Sequence, residues 1–428
     1  MKPATSLFRL ASASLLLALA ACAARPPAAP PASPFDQDVI DATEGLAGQW
    51  HASTSYRIHW LADTVALGPF VDLADTGKAS NTATGFSRPQ SVASARARQV
   101  VARHIESSLR EFKLVPQKSP DAAAPELLLS ASLIPFVAPE MPGQPSASDP
   151  RAEPRLMLTL VLTDLRTQRI VARWQKPLRS AQGDANPALF DAASPVLFNQ
   201  SNIERNSVLF SALPPTQLDA ATVDGALGLA QLHQAQEAYA AGDHARALAM
   251  FKAVGSSMPP PAPALALRAY NGEYLSYLKL GQPEAARLAF QRVVATGIAS
   301  RSLAMKLLFA PGETAFWADQ AVSGPYAAWL AEISQQAAAA PTCVDVAGHT
   351  SRTGDQAFND TLSLARSERV RQLMAQAQPT LASRLTASGK GWTENIVGSG
   401  TDDARDAIDR RVEFRIVDCA AMVAPAAP

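Results

Sequence analysis

The sequence carries no surplus of either charge, since Lys and Arg together number 38 and so do Asp and Glu. A balanced chain exerts no long-range field toward nucleic acid or an anionic surface, so charge-driven binding has to be local. The short patterns of common catalytic machineries are also missing: there is no Gly-x-Ser-x-Gly elbow, no His-Glu-x-x-His pair and no phosphate-cradling loop. The 6 histidines are scattered, and His51, His59 and His104 have neither catalytic nor metal-ligand spacing. Accordingly no catalytic residue, metal or cofactor is expected, nor an enzyme, nor a nucleic-acid partner. An enzyme acting on a polysaccharide would need paired carboxylates in a cleft of the least readable region, which spacing alone does not reveal.

Cysteine is scarce, with only 3 in 428 residues. Cys22 ends the apolar run Leu10 to Ala21 (LASASLLLALAA), which follows Lys2 and Arg9. Such a run is too short for a permanent span and reads as a signal peptide over residues 1–21. Leu19, Ala20, Ala21 and Cys22 resemble a bacterial lipobox, which implies lipidation of Cys22 and, with Ala23 following, an outer-membrane destination facing the periplasm. Residues 22–34 (CAARPPAAPPASP) then form a stiff Pro/Ala-rich spacer. Cys343 and Cys419 both flank strand-like segments of one C-terminal region, in a compartment that permits disulfides. A bridge is favoured over two buried free thiols.

A chain of this length divides into several modules. Residues 35–216 read as an α/β domain without an assignable role. Val101, Ile105, Leu109 and Phe112 share one face of a helix expected over about Ser91 to Leu114. Strands are expected over Glu126 to Leu133, Arg155 to Thr163 and Arg169 to Gln175, the last two joined by the polar turn Asp164 to Gln168. Leu156, Leu158, Leu160 and Leu162 give the second strand one strongly apolar face.

Residues 224–297 are helical and repeat. Gly242 to Phe251 (GDHARALAMF) returns as Gly281 to Phe290 (GQPEAARLAF), with Tyr239 and Tyr277 before the glycines. This resembles the tetratricopeptide repeat, with the length beyond the usual ~34 residues falling in Met258 to Pro263. A plain four-helix spacer is the alternative. The resemblance implies helical hairpins with a groove for a protein partner, or a rigid joint.

The most specific signal lies in residues 302–419. After a first strand and turn (Leu307 to Phe316), a helix (Tyr326 to Gln336) and a second strand (Cys343 to Ala347) comes GHTSRTGDQAFNDTLSLARSERV, from Gly348 to Val370. Together with Ala387 to Gly391 (ASGKG) and Asp409 to Phe414 (DRRVEF), this resembles the OmpA-like peptidoglycan-binding domain. The resemblance implies an α/β sandwich that grips the diaminopimelate of a cell-wall stem peptide. Arg366 would take its carboxylate in bidentate fashion. Thr350, Gly354 and Asn359 would order the loop, with His349 packed within it and Arg410 and Arg411 chiefly structural. The family's Asp, which would meet the ligand's ammonium, is Ser351 here. Asp355, or one of Asp402, Asp403, Asp406 and Asp409, is a candidate replacement; the alternative is a solvated acidic loop with Asp409 as a turn former.

The fold class expected is α+β multidomain: an N-terminal α/β module, central helical hairpins, a C-terminal OmpA-like sandwich and a disordered tail over 420–428. The function expected is that of a lipoprotein tethering the outer membrane to peptidoglycan. The alternative is a scaffold in an envelope or secretion assembly, working through the helical repeats and the N-terminal domain.

Overall fold

The computed structural model describes residues 32–53, 62–72, 92–115, 125–136, 155–178, 194–196, 208–257, 260–303, 305–396, 398, 400–401 and 404–420. The expected signal segment, Cys22, most of the spacer, His59, Asp402, Asp403 and the tail beyond Ala420 lie outside the described residues. Among the described residues no helix is long and apolar enough to cross a membrane.

The N-terminal region runs α1 (Pro34–Ser53), β1 (Asp63–Asp72), α2 (Val92–Ser108), β2 (Phe112–Leu114), β3 (Leu127–Phe136), β4 (Arg155–Asp164) and β5 (Arg169–Leu178). The strands form one sheet in the order β2-β1-β3-β4-β5, with β2 and β3 parallel to β1 and the rest antiparallel. Period-2 alternation decides what each face buries. Leu158, Leu160 and Leu162 pack with Val39 and Leu46 of α1 and with Val101 and Ile105 of α2. Asp164 closes the β4–β5 turn by accepting from the amides of Arg166 and Thr167, both at 2.9 Å.

One expectation changes. The helix expected to reach Leu114 stops at Ser108, because Phe112 to Leu114 form β2 at the sheet edge, with Asp63 N donating to Glu111 O at 2.9 Å. His51 lies 3.2 Å from Glu111 and His104 3.3 Å from Glu44. α1 and β1 have no counterpart in the sequence reading.

After the short helix α3 (Val208–Ser211) come α4 (Ala220–Ala240), α5 (His244–Gly255), α6 (Pro263–Lys279) and α7 (Pro283–Ala299). Asp219 and Asp243 cap α4 and α5 by accepting from the amides of Thr222 and Arg246, and prolines open α6 and α7. Gly242 and Gly281 turn the chain at φ +83° and +68°, a region costly for other residues. The repeated Ala247 and Ala286, and Phe251 and Phe290, are all buried. Val223, Ala226 and Ala230 of α4 cover the second face of the N-terminal sheet, against Leu128, Val161 and Ile170.

The C-terminal region contains β6 (Lys306–Leu308), α8 (Gln320–Ser323), α9 (Tyr326–Ala339), β7 (Cys343–Gly348), α10 (Gln356–Ala377), β8 (Leu385–Gly389) and β9 (Arg411–Val417). Its sheet order is β6-β9-β7-β8, with β8 parallel to β7 and β9 antiparallel to both of its neighbours. Val344, Val346, Val412 and Phe414 face Ile333 of α9 and Val370 and Met374 of α10 in one core, which continues into α6 and α7. There Trp329 stacks on Phe290 at 5.8 Å and donates its indole N–H to the Tyr274 hydroxyl at 3.1 Å. A Cys343–Cys419 disulfide joins the start of β7 to the residues just past β9, with Cα atoms 5.1 Å apart.

Candidate functional site

The GHTSRTGD segment leaves β7 and enters α10 as a loop whose backbone is anchored almost residue by residue. His349 N donates to Arg411 O at 2.8 Å and Thr350 N to Gly391 O at 2.9 Å. The Asn395 side chain donates to Thr350 O at 3.2 Å. Gly354 reverses the chain at φ +92°. Asn359 Nδ2 donates to both Thr353 O and Asp355 O at 2.9 Å, so it orders this loop as its type and position suggest. Thr350 does so through its backbone; its buried hydroxyl has no hydrogen-bond partner among the described residues. Ser351 is buried.

Ser363, within the segment from Gly348 to Val370, has a mechanical role. Ser363 Oγ donates to Asp360 O at 2.9 Å and accepts from Gly391 N at 3.0 Å, clamping α10 to the segment after β8. Gly348 must lack a side chain, since a Cβ there would stand 2.0 Å from Ser363 O. The ends of β7 and β8 therefore lie flush against α10.

Arg366 extends from α10 under this loop and is fully buried. Its Nε donates to Glu313 O at 2.8 Å, Nη1 to His349 O at 3.0 Å and Nη2 to Ala310 O at 2.8 Å, with the guanidinium over the Phe309 ring at 5.2 Å. Three of its five N–H groups are thus committed to carbonyls. Sequence reasoning gave Arg366 as a ligand-facing fork; the structure makes it first the pin between the 309–316 turn and the loop at His349.

Beside the loop lies a buried charge network that the reading of the sequence missed. Glu413, 1% exposed, meets Arg411 at 3.2 Å, Arg415 at 2.9 Å and His349 Nε2 at 3.2 Å, while Glu394 pairs with Arg415. Burial, then the Arg411 guanidinium, lowers the His349 pKa to about 4. Burial works to raise the Glu413 carboxyl, yet Arg411, His349 and Arg415 outweigh it and hold Glu413 well below the usual carboxylate range. Donor atoms of His349, Glu394 and Glu413 lie within 4.8 Å of one another, a spacing open to a metal ion. Two arginines already neutralise the two carboxylates, so a divalent cation would enter against paired positive charge; the donor set fits an ion-pair network better than a metal centre. Period 2 along β9 puts Arg411, Glu413 and Arg415 on one face, a signal the sequence did contain.

The candidate carboxylates divide by task. Asp355 is exposed and caps α10, accepting from Phe358 N at 3.2 Å. Asp406 and Asp409 are buried, which corrects the picture of a wholly solvated acidic loop. Asp409 accepts from Ile396 N at 2.5 Å and Gly398 N at 2.7 Å, and Asp406 from Thr401 N at 3.1 Å. Both bind loop backbone because buried N–H groups need acceptors. Arg410 and Arg411 are likewise buried.

Outer membrane porin F of Pseudomonas fluorescens is 39% identical over 75 residues, 18% of this chain and 22% of that protein. Outer membrane protein Omp38 of Acinetobacter baumannii is 30% identical over 92 residues, 21% of this chain and 26% of its own. The chain thus spans about a quarter of the length of the curated relatives it matches. Among solved structures, the peptidoglycan-associated lipoprotein from Burkholderia pseudomallei aligns over 26% of this chain and 89% of its own, at 20% identity and a TM-score of 0.23. The cell wall anchor of the T6SS from Pseudomonas aeruginosa aligns over 26% and 75%, at 25% identity and a TM-score of 0.21. Residues 308–409 match the OmpA family, so the chain carries an OmpA domain at its C-terminus.

Proposed function

We propose that this protein binds peptidoglycan non-covalently through the loop between β7 and α10 and, lipidated at Cys22, tethers the outer membrane to the wall from the periplasmic side. The observation that carries the reading is the loop itself: Gly348 to Asp355 ordered by Asn359, pinned by Arg366 and lying within the span that matches the OmpA family. The names of the peptidoglycan-associated lipoprotein and of the cell wall anchor are in keeping with a wall-binding role. Diaminopimelate is the ligand group that best suits a charged guanidinium beside a polar loop, since it offers a carboxylate and an ammonium together. Arg366 is assigned to the carboxylate, with Thr350, Ser351, Gly354, Asp355 and Asn359 shaping the loop. The helical hairpins α4–α7 are assigned as a rigid joint with tetratricopeptide-like character, open to a protein partner.

The test is co-sedimentation of the chain lacking residues 1–22 with insoluble sacculi. Wild type is expected in the pellet and Arg366→Ala in the supernatant. Wild type remaining in solution at saturating sacculi would end the wall-binding reading and leave the scaffold role of the other regions.

A further inference from the structure

Ser351 leaves the ammonium of a bound stem peptide without the carboxylate that the resemblance calls for, and the neighbouring acids are mostly spent. Asp355 is on Phe358 N, Asp406 on Thr401 N, and Asp409 on the amides of Ile396 and Gly398, while Glu394 and Glu413 sit in ion pairs with Arg415 and Arg411. Asp360 differs. It is exposed, just past the first turn of α10, and among the described residues no hydrogen bond or ion pair engages its carboxylate.

Its position is fixed by the architecture of the site. A Cβ built on Gly391, whose φ is +51°, would stand 2.4 Å from Asp360 Oδ1, so the carboxylate lies directly over that glycine. The Gly391 carbonyl accepts from Thr350 N at 2.9 Å, which puts the carboxylate one residue from the Thr350–Ser351 loop. The Ser363 hydroxyl holds both partners, donating to Asp360 O at 2.9 Å and accepting from Gly391 N at 3.0 Å. A carboxylate that lies over Gly391, next to the segment that Thr350 N bonds, is placed to receive a cation that enters the same loop.

We propose that Asp360 receives the ammonium of the stem peptide's diamino acid, in the role the resemblance gives to position 351. This rests on the peptidoglycan-binding reading above and adds a specificity-determining residue to it.

The experiment is quantitative co-sedimentation of the chain lacking residues 1–22 with native sacculi and with sacculi whose free amines have been acetylated. Asp360→Asn is expected to weaken binding to native sacculi about tenfold, with unfolding by urea unchanged because the side chain is exposed. Acetylation is expected to bring wild type down to the level of the variant and to leave the variant where it was. Adding Ser351→Asp to Asp360→Asn is expected to restore binding. Native affinity in Asp360→Asn, or a variant that still loses affinity on acetylated sacculi, would overturn the assignment while leaving wall binding intact. Failure of wild type to sediment would overturn wall binding and this assignment together, so the two failures are told apart.

Discussion

Arg366, the side chain proposed to bind the ligand, is held by structural contacts. Its three carbonyl contacts, to Ala310, Glu313 and His349, require a planar fork that an ammonium does not supply. Arg366→Lys, which keeps the charge, is therefore expected to lower stability by about 2 kcal/mol in urea titration, because buried carbonyls lose their donors, and to weaken sacculus binding as well. The place of Arg366 in its motif was legible from spacing; its burial was not, because two of the three carbonyls that hold it, those of Ala310 and Glu313, come from a turn 56 and 53 residues earlier. Missed for a similar reason was the role of His349 beside Glu413, since residues far apart in sequence meet only once β7 and β9 pair. With its pKa lowered to about 4 from the ordinary 6.5, His349 stays neutral in the folded protein. Above pH ~6.5 the folded and unfolded states bind its proton equally little; as pH falls from there toward about 4, the unfolded chain takes up a proton that the folded chain refuses, so stability declines. Urea titrations between pH 7 and 5 are expected to show that decline in wild type and a flatter profile in His349→Gln. Parallel profiles would contradict the role given to the ring.

Elements with strong periodicity were legible, and those with mixed signals were not. Helix α9, strand β7 and the β4–β5 hairpin follow from apolar spacing and turn chemistry. Strand β1 does not, because Gly68 and Pro69 interrupt its apolar alternation. The structure instead shifts register between Leu67 and Phe70, and a Cβ at Gly68 would strike Ser130 Oγ at 2.1 Å. The glycine is there for close strand approach at a bulge. Helix α2 appeared too long because Phe112 continues its apolar stripe, yet Phe112 belongs to β2. The capping assignment of Asp355 makes its own forecast: Asp355→Ala is expected to cost about 1 kcal/mol in thermal or urea unfolding, with sacculus binding retained once the protein is folded. Loss of binding at unchanged stability would return Asp355 to the ligand site.

Across the whole molecule, α4 covers one face of the N-terminal sheet while α6 and α7 share a core with the OmpA domain, so the helical hairpins join the two ends through packed surfaces. Trp329 is central to the second contact, stacked on Phe290 and bonded to Tyr274. Trp329→Ala is expected to cost roughly 3–5 kcal/mol and to split one unfolding transition into two. A single unshifted transition would contradict the shared core. None of this coupling was visible in the sequence, where the repeats read as separate from the wall-binding motif. The measurement that reaches the central claim most directly is hydrogen exchange of the intact chain, followed by mass spectrometry, with and without soluble diaminopimelate-containing muropeptide. The account predicts slowed exchange in peptides covering the loop from Gly348 to Asp355 and the segment around Gly391, with little change elsewhere; protection confined to the helical hairpins or the N-terminal sheet, or none anywhere at saturating muropeptide, would contradict it.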